Sequence, residues 1–199
     1  ASDVYKRQGA TRLPGMSGFS IRRGEPADAA SLFMLAAAVA AEPEGWLLAQ
    51  GPWRSEEDER RALQAQRWTD DFVLLVAADA QGVPIGRLSL VRDEHPAAAH
   101  VADLGILVAR EWRGRGVGTA LVEAGAAWAL EAGYGKLELH VLPGNVRAIG
   151  VYERCGFVRK GLRRQRFLRG GEAVDVLLMG RLLQEGLRAY PDAYPPVPQ

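Results

Sequence analysis

Residues 102–128 read ADLGILVAREWRGRGVGTALVEAGAAW, and this stretch decides the fold. Its first part, through Ala109, is a mainly apolar run suited to a buried strand. Its second part repeats Val117, Leu121, Ala124 and Trp128 at the spacing of one helix face. Between the two lies Arg113-Gly114-Arg115-Gly116-Val117-Gly118-Thr119. Glycines let backbone N–H groups approach a ligand with no Cβ in the way. A helix opening near Gly116 adds unpaired N–H donors and the positive end of its dipole. Arg113 and Arg115 add planar, charged donors. Strand, glycine turn and helix N-terminus together shape a site for a pyrophosphate.

Upstream, FSIRR at 19–23 alternates as a half-buried strand does. Pro26 suits a first helical turn, and a helix is expected over 27–41. Ser55 with Asp58 three residues on resembles a capping box for a charged helix at 56–68. The apolar run 72–78, the turn Asp79-Ala80-Gln81-Gly82 and the run 83–91 read as a β-hairpin, with Pro84 near a strand start. A strand at 100–109 follows, then the helix from Val117, for which Gly133 is a stop. At 136–142 Leu137, Leu139 and Val141 alternate with Glu138 and His140. A short helix at 145–154 ends at Gly156. Strands at 157–168 and 173–183 flank the turn Arg169-Gly170-Gly171-Glu172. The order β-α-α-β-β-β-α-β-α-β-β makes a mixed sheet with helices on its faces, an α/β or α+β domain.

Length and composition bound the rest. With 199 residues, one domain is expected at 19–184, with a non-periodic tail at 1–18 and a proline-rich tail at 185–199. That tail at 1–18 reads as disordered or non-native. Hydrophobic residues make up 48%, charged residues 25%, and the net charge is +1, so nothing global draws the chain to nucleic acid or membrane. One cysteine, Cys155, permits no intrachain disulfide and fits a reducing compartment. His95, His100 and His140 carry no metal-ligand spacing, so no metal is expected. No apolar stretch reaches a membrane span and no signal design opens the chain, so a cytoplasmic enzyme is expected.

Three phosphate-binding loops compete for 113–119. A P-loop needs Gly-Lys-Ser/Thr, and here Val117 precedes Gly118-Thr119. A dinucleotide fingerprint needs a third glycine where Thr119 stands, although Glu138 lies about where its ribose-binding acid would. The third loop is the pattern Arg113-x-x-Gly116-x-Gly118 after a strand. A second pattern follows it: Asn145-x-x-Ala148-x-x-x-Tyr152-x-x-x-Gly156-Phe157. Together, in this order, they resemble the GNAT superfamily of acyl-CoA N-acyltransferases. The likeness spans roughly 19–183 in element order and is sharpest over 100–157.

That resemblance implies a mostly antiparallel sheet of six or seven strands, splayed into a V between the strands at 100–109 and 136–142. It implies acetyl-CoA as co-substrate, with pantetheine in the V along Ile106, Leu107 and Val108. The pyrophosphate would lie on Arg113, Gly114, Arg115, Gly116, Val117, Gly118 and Thr119. Gly105 fits a local distortion or a close backbone approach. Asn145 would touch pantetheine, cap its helix, or both. Tyr152 would donate a proton to the departing thiolate, the alternative being a tyrosine packed on the sheet. His140 would be the base, as its ordinary pKa allows, with Asp103 and Glu138 as rival carboxylates and water as a further carrier. Cys155 is expected only to pack. Trp46 and Trp53 lie where the acceptor site is often walled. The run Arg163-Arg164-Gln165-Arg166 could attract an acceptor carboxylate or stand as a solvated face.

His100-Val101-Ala102-Asp103-Leu104-Gly105-Ile106 and Gly170-Gly171-Glu172 with Val174-Asp175-Val176 look like a bacterial branch that acetylates free L-amino acids and small amines. A small amine is therefore the expected partner, and a homodimer through the C-terminal strand is possible. A protein N-terminal or lysine acetyltransferase, a non-catalytic CoA-binding module and a nucleotide-binding oxidoreductase are the alternatives.

Overall fold

A computed structural model describes residues 18–48 and 55–184. Its strands are β1 (Phe19–Arg23), β2 (Phe72–Asp79), β3 (Pro84–Arg92), β4 (Val101–Val108), β5 (Lys136–Val141), β6 (Val158–Arg169) and β7 (Glu172–Leu182). Its helices are α1 (Ala29–Ala40), α2 (Glu56–Ala65), α3 (Val117–Glu131) and α4 (Val146–Arg154). The expected order of elements holds throughout. Of the tails expected at 1–18 and 185–199, all but Gly18 lies outside the described residues.

The seven strands form one sheet in the order β1-β2-β3-β4-β5-β7-β6. β1 to β4 are antiparallel neighbours, β4 and β5 run parallel, and β7 pairs antiparallel with both β5 and β6. The last strand is thus interior, and β6 forms the edge. Both hydrogen-bonding edges of the C-terminal strand are used within the chain, so edge-to-edge pairing with a second copy is open to β6 and not to β7. The β3–β4 register also runs unbroken through Gly105, so no bulge lies there. A Cβ on Gly105 would sit 3.1 Å from Ser89 Oγ, a close approach instead of a distortion.

Both faces of the sheet centre are covered, which explains the continuous apolar run of β2. Val73, Leu75 and Ala77 join the α3 and α4 side of the core, with Leu121, Val122, Ile149 and Tyr152. Leu74, Val76 and Ala78 meet Leu32 of α1 and Leu63 of α2 on the other. Each such buried aliphatic side chain contributes roughly 1.5–3 kcal/mol.

The α2 capping box forms as its sequence predicts. Asp58 N–H donates to Ser55 Oγ at 3.1 Å, and Ser55 N–H to Asp58 Oδ2 at 3.3 Å. The helix stops at Ala65, short of the expected Trp68. Gln66 leaves the helix to bridge two strands: its Nε2 donates to Gly24 O at 2.6 Å and its Oε1 accepts from Leu74 N–H at 3.0 Å. α1 begins at Ala29 after a short 3-10 turn, Pro26–Asp28, where Asp28 takes Arg22 in a two-point pair at 2.6 and 2.7 Å.

Candidate active site

The parallel pair β4–β5 is joined at three register positions only: Val101↔Lys136, Ala102↔Leu137 and Asp103↔Glu138. β4 then runs on to Val108 beside β3, and β5 to Val141 beside β7, no longer paired with each other. The strands part, and the β4 backbone from Leu104 to Val108 faces a cleft. Side chains alternate across it. Leu104, Leu139 and Val141 join the core under α3 and α4, while Asp103, Glu138 and His140 stand on the opposite face. Ile106, Leu107 and Val108 are half-buried along the unpaired part.

At the end of β4 the chain turns into α3 through Gly114 and Gly116, with φ of 75° and 84°. Those are left-handed angles that favour glycine. A Cβ at either position would meet nothing within 4 Å, so the turn borders open space. The first intrahelical bond is Ala120 N–H to Gly116 O at 3.0 Å, and no side chain caps the helix. The N–H groups of Val117, Gly118 and Thr119 are therefore left for a ligand. This is a cradle that fits a pyrophosphate.

The two loop arginines differ. Arg115 is exposed, with its guanidinium 5.1 Å from the centre of the Trp112 ring. Arg113 is held from within. Its Nε donates to Val108 O at 3.0 Å, and its terminal nitrogens reach Glu42 at 2.8 and 2.6 Å. Glu42 keeps only 8% of its side chain exposed. Arg110 pairs with Glu44 beside it. The structure thus engages Arg113 as a tie between the end of α1 and the glycine turn, a partner the sequence reading did not foresee.

On α4, Asn145 is a helix cap: its Oδ1 accepts from Ala148 N–H at 3.2 Å. Ile149 and Tyr152 are the buried face of that helix. Tyr152 packs 5.9 Å from the Phe157 ring, and its hydroxyl has no hydrogen-bond partner among the described residues. Burial, with a smaller effect of Cys155, holds its phenol well above the ordinary tyrosine range, so it stays a donor. Cys155 is 3% exposed, and burial with nearby Glu123 pushes its thiol up to about 11. That is the environment of an inert core thiol.

On the opposite face, Arg163 Nη1 lies 2.8 Å from His140 Nε2. A guanidinium can only donate, so Nε2 accepts and the ring proton sits on Nδ1. Burial, then Arg163 and Arg166, lowers the His140 pKa, which keeps the ring neutral. Phe167 meets the imidazole edge-on, with centroids 5.8 Å apart at 83°. The His140 lone pair through which a base would act is engaged by Arg163. Glu138 pairs with Lys136. Asp103 is exposed and has no cation partner among the described residues. Protein packed round its carboxyl, with Glu138 and Asp93, pushes its pKa up.

Trp46 lies against the turn after β5: a Cβ on Gly144 would come 3.5 Å from its ring. Gly45 abuts the guanidinium of Arg169 at the β6–β7 turn. The segment after α1 therefore lies against the turn that follows β5; Trp53 lies outside the described residues. Among the described residues no group of His, Cys, Asp and Glu is placed to hold a metal. No helix there is long and apolar enough to cross a membrane.

Residues 41–157 match the Acetyltransferase (GNAT) family. Similar proteins include the L-amino acid N-acetyltransferase AaaT of Escherichia coli, 35% identical over 111 residues, which takes in 54% of this chain and 67% of that protein. The mycothiol acetyltransferase of Propionibacterium freudenreichii subsp. shermanii is 37% identical over 110 residues, covering 54% of this chain and only 34% of that one. The solved GNAT acetyltransferase of Streptococcus pneumoniae superposes with a TM-score of 0.74 at 27% identity, over 82% of this chain and 98% of that one.

Proposed function

The chain belongs to the GNAT acetyltransferase family, and from that premise we propose that it moves the acetyl group of acetyl-CoA to the amine of a small molecule, an amino acid or related amine. One observation carries this reading: β4 and β5 part just beyond Asp103 and Glu138, and the β4 edge freed from β5 leads to an open helix N-terminus.

The N–H groups of Val117, Gly118 and Thr119 would take the pyrophosphate, with Arg115 as the free charged donor. The backbone groups of Ile106 and Leu107 that turn away from β3 would hold the pantetheine amides beside Val108, whose O is taken by Arg113, and Asn145 would keep α4 in place beside them. The amine nitrogen bonds to the thioester carbonyl carbon and the carbon–sulfur bond breaks. Tyr152, kept protonated by burial, gives its proton to the leaving sulfur. The proton leaving the amine goes to Asp103, directly or through water. The raised pKa of Asp103 makes it a better acceptor than an ordinary carboxylate.

The test is release of free thiol from acetyl-CoA against L-amino acids, polyamines, aminoglycosides and short peptides, with the acetylated product identified by mass. Turnover of a small amine is expected. Turnover confined to peptides would replace this reading with protein acetylation, and CoA binding without turnover of any member would replace it with a binding module.

A further inference from the structure

Arg163 is an arginine without a carboxylate. Among the described residues it forms no ion pair, and its side-chain partner is the neutral His140 at 2.8 Å. One of its five donors is used there, leaving the rest of a planar, charged fork open on an exposed strand face. The position is built. The β6–β7 register shifts between Arg163 and Phe167. Within that shift Gln165 adopts φ of 49°, unusual for a residue with a Cβ, and its N–H is fixed by Asp175 Oδ1 at 2.8 Å. The shift brings Phe167 back against the edge of His140. His140 is thereby wedged between Phe167 and Arg163 and fixes the direction of the guanidinium.

Asp103 is the complement. It is an exposed carboxylate at the apex of the cleft, with no cation partner of its own. The charge of Arg163 is felt at Asp103, yet the two form no ion pair. Of the neighbouring charges, Glu138 pairs with Lys136, Arg166 lies over the Phe167 ring, and Asp93 accepts from His95 N–H. Asp103 and Arg163, neither in an ion pair among the described residues, thus stand apart on the face where the sheet opens.

We propose that Arg163, held in place by His140, anchors a carboxylate on the acceptor while Asp103 faces its amine, so that the two residues select α-amino acids over plain amines. His140 is then a positioning residue. The proposal rests on the acetyltransferase reading above and names the residues that would give it an amino acid acceptor.

The experiment is calorimetric binding to the CoA-saturated protein, with each L-amino acid of a panel beside its carboxamide. The wild type is expected to bind at least one acid tenfold or more tightly than the matching amide. Arg163→Gln should erase that difference, leaving affinity for the amide and for CoA unchanged. His140→Gln, whose side-chain carbonyl can still accept from Arg163, should keep most of the preference and the wild-type pH–rate profile, while His140→Leu should lose the preference. Acid and amide bound alike, no acid bound at all, or an Arg163→Gln loss equal for both would overturn the proposal. Turnover of amines with no acid preference would sink this inference and leave acetyl transfer standing. Acid-selective binding without turnover would do the reverse.

Discussion

Glu42 closes on the guanidinium of Arg113 with both carboxylate oxygens, at 2.8 and 2.6 Å, while Val108 O takes the third nitrogen at 3.0 Å. One ion pair therefore ties the segment after α1, which carries Trp46, to the turn that opens α3. The segment that carries Trp46 and the glycine turn before α3 share a brace.

The two loop arginines should separate on substitution. Arg115→Ala removes a free charged donor, worth roughly 1.5–3 kcal/mol to a phosphate, so the Kd for CoA should rise tenfold or more. Arg113→Ala instead leaves the largely buried Glu42 with only Arg110, at 3.7 Å, a change that costs about 3 kcal/mol. That corresponds to a fall in Tm of about 6–12 °C for a domain of this size. Calorimetry with CoA and thermal melts read the two effects. An unchanged Kd in Arg115→Ala would assign phosphate binding to the N–H groups alone.

Tyr152→Phe keeps the ring against Phe157 and deletes only a hydroxyl that has no hydrogen-bond partner among the described residues. Folding and CoA affinity should hold, while kcat falls at least tenfold, within the ~10²–10⁴ of a positioned acid. Because burial raises its pKa, the phenol should contribute no alkaline limb within the ordinary tyrosine range. An unchanged kcat would take Tyr152 out of the chemistry.

Local signals were strong where one element carries its own pattern. The alternation of Leu137, Leu139 and Val141 marked both a strand and its buried face, and Asn145 marked the cap it forms. What the sequence hid was long-range. Glu42 and Arg113 lie 71 positions apart, and an acid just past a helix carries no sign of its partner. His140 suggested a base because its own strand alternates correctly. Its contact with Arg163 depends on β7 inserting beside β5 and on a register shift in β6. The strand order itself had a legible cause that went unread. β6 carries Arg159, Lys160, Arg163, Arg164 and Arg166 and is exposed along most of its length, whereas Val176 and Met179 of β7 are fully buried. A strand so charged belongs at an edge.

Cys155 should be silent in the native protein. Burial and Glu123 push its thiol up to about 11, so a thiol-specific disulfide reagent at pH 8 should react only as the chain unfolds. A folded pKa above the unfolded one means that stability is full below the unfolded value, about 8.5–9, and is lost as pH rises toward the folded one. Between pH 9 and 11 the wild type should lose on the order of 2 kcal/mol that a Cys155→Ala variant does not. Parallel alkaline melts of the two proteins would show that the thiol is not the group responsible.

Asp103 should show the opposite trade between stability and activity. It is a carboxylate with no ion-pair partner among the described residues, and its pKa is raised by surrounding protein, Glu138 and Asp93 against a smaller lowering by Arg163. A raised carboxyl pKa means that the folded state resists its ionisation. The penalty is absent below the unfolded pKa, roughly 4, and is complete above the folded value. Asp103→Asn should therefore raise Tm at pH 7, and the gain should shrink as pH falls through the acid range and vanish below about pH 4. The same variant should bind CoA normally and lose tenfold or more in kcat/KM for the acceptor, since it can neither take a proton nor face an ammonium. Melting curves from pH 3 to 8 and initial rates on the same samples test both halves. A Tm that does not move with the substitution at pH 7, or an acceptor kcat/KM that survives it, would show that the unpaired charge at the apex of the cleft is not held there for the reaction.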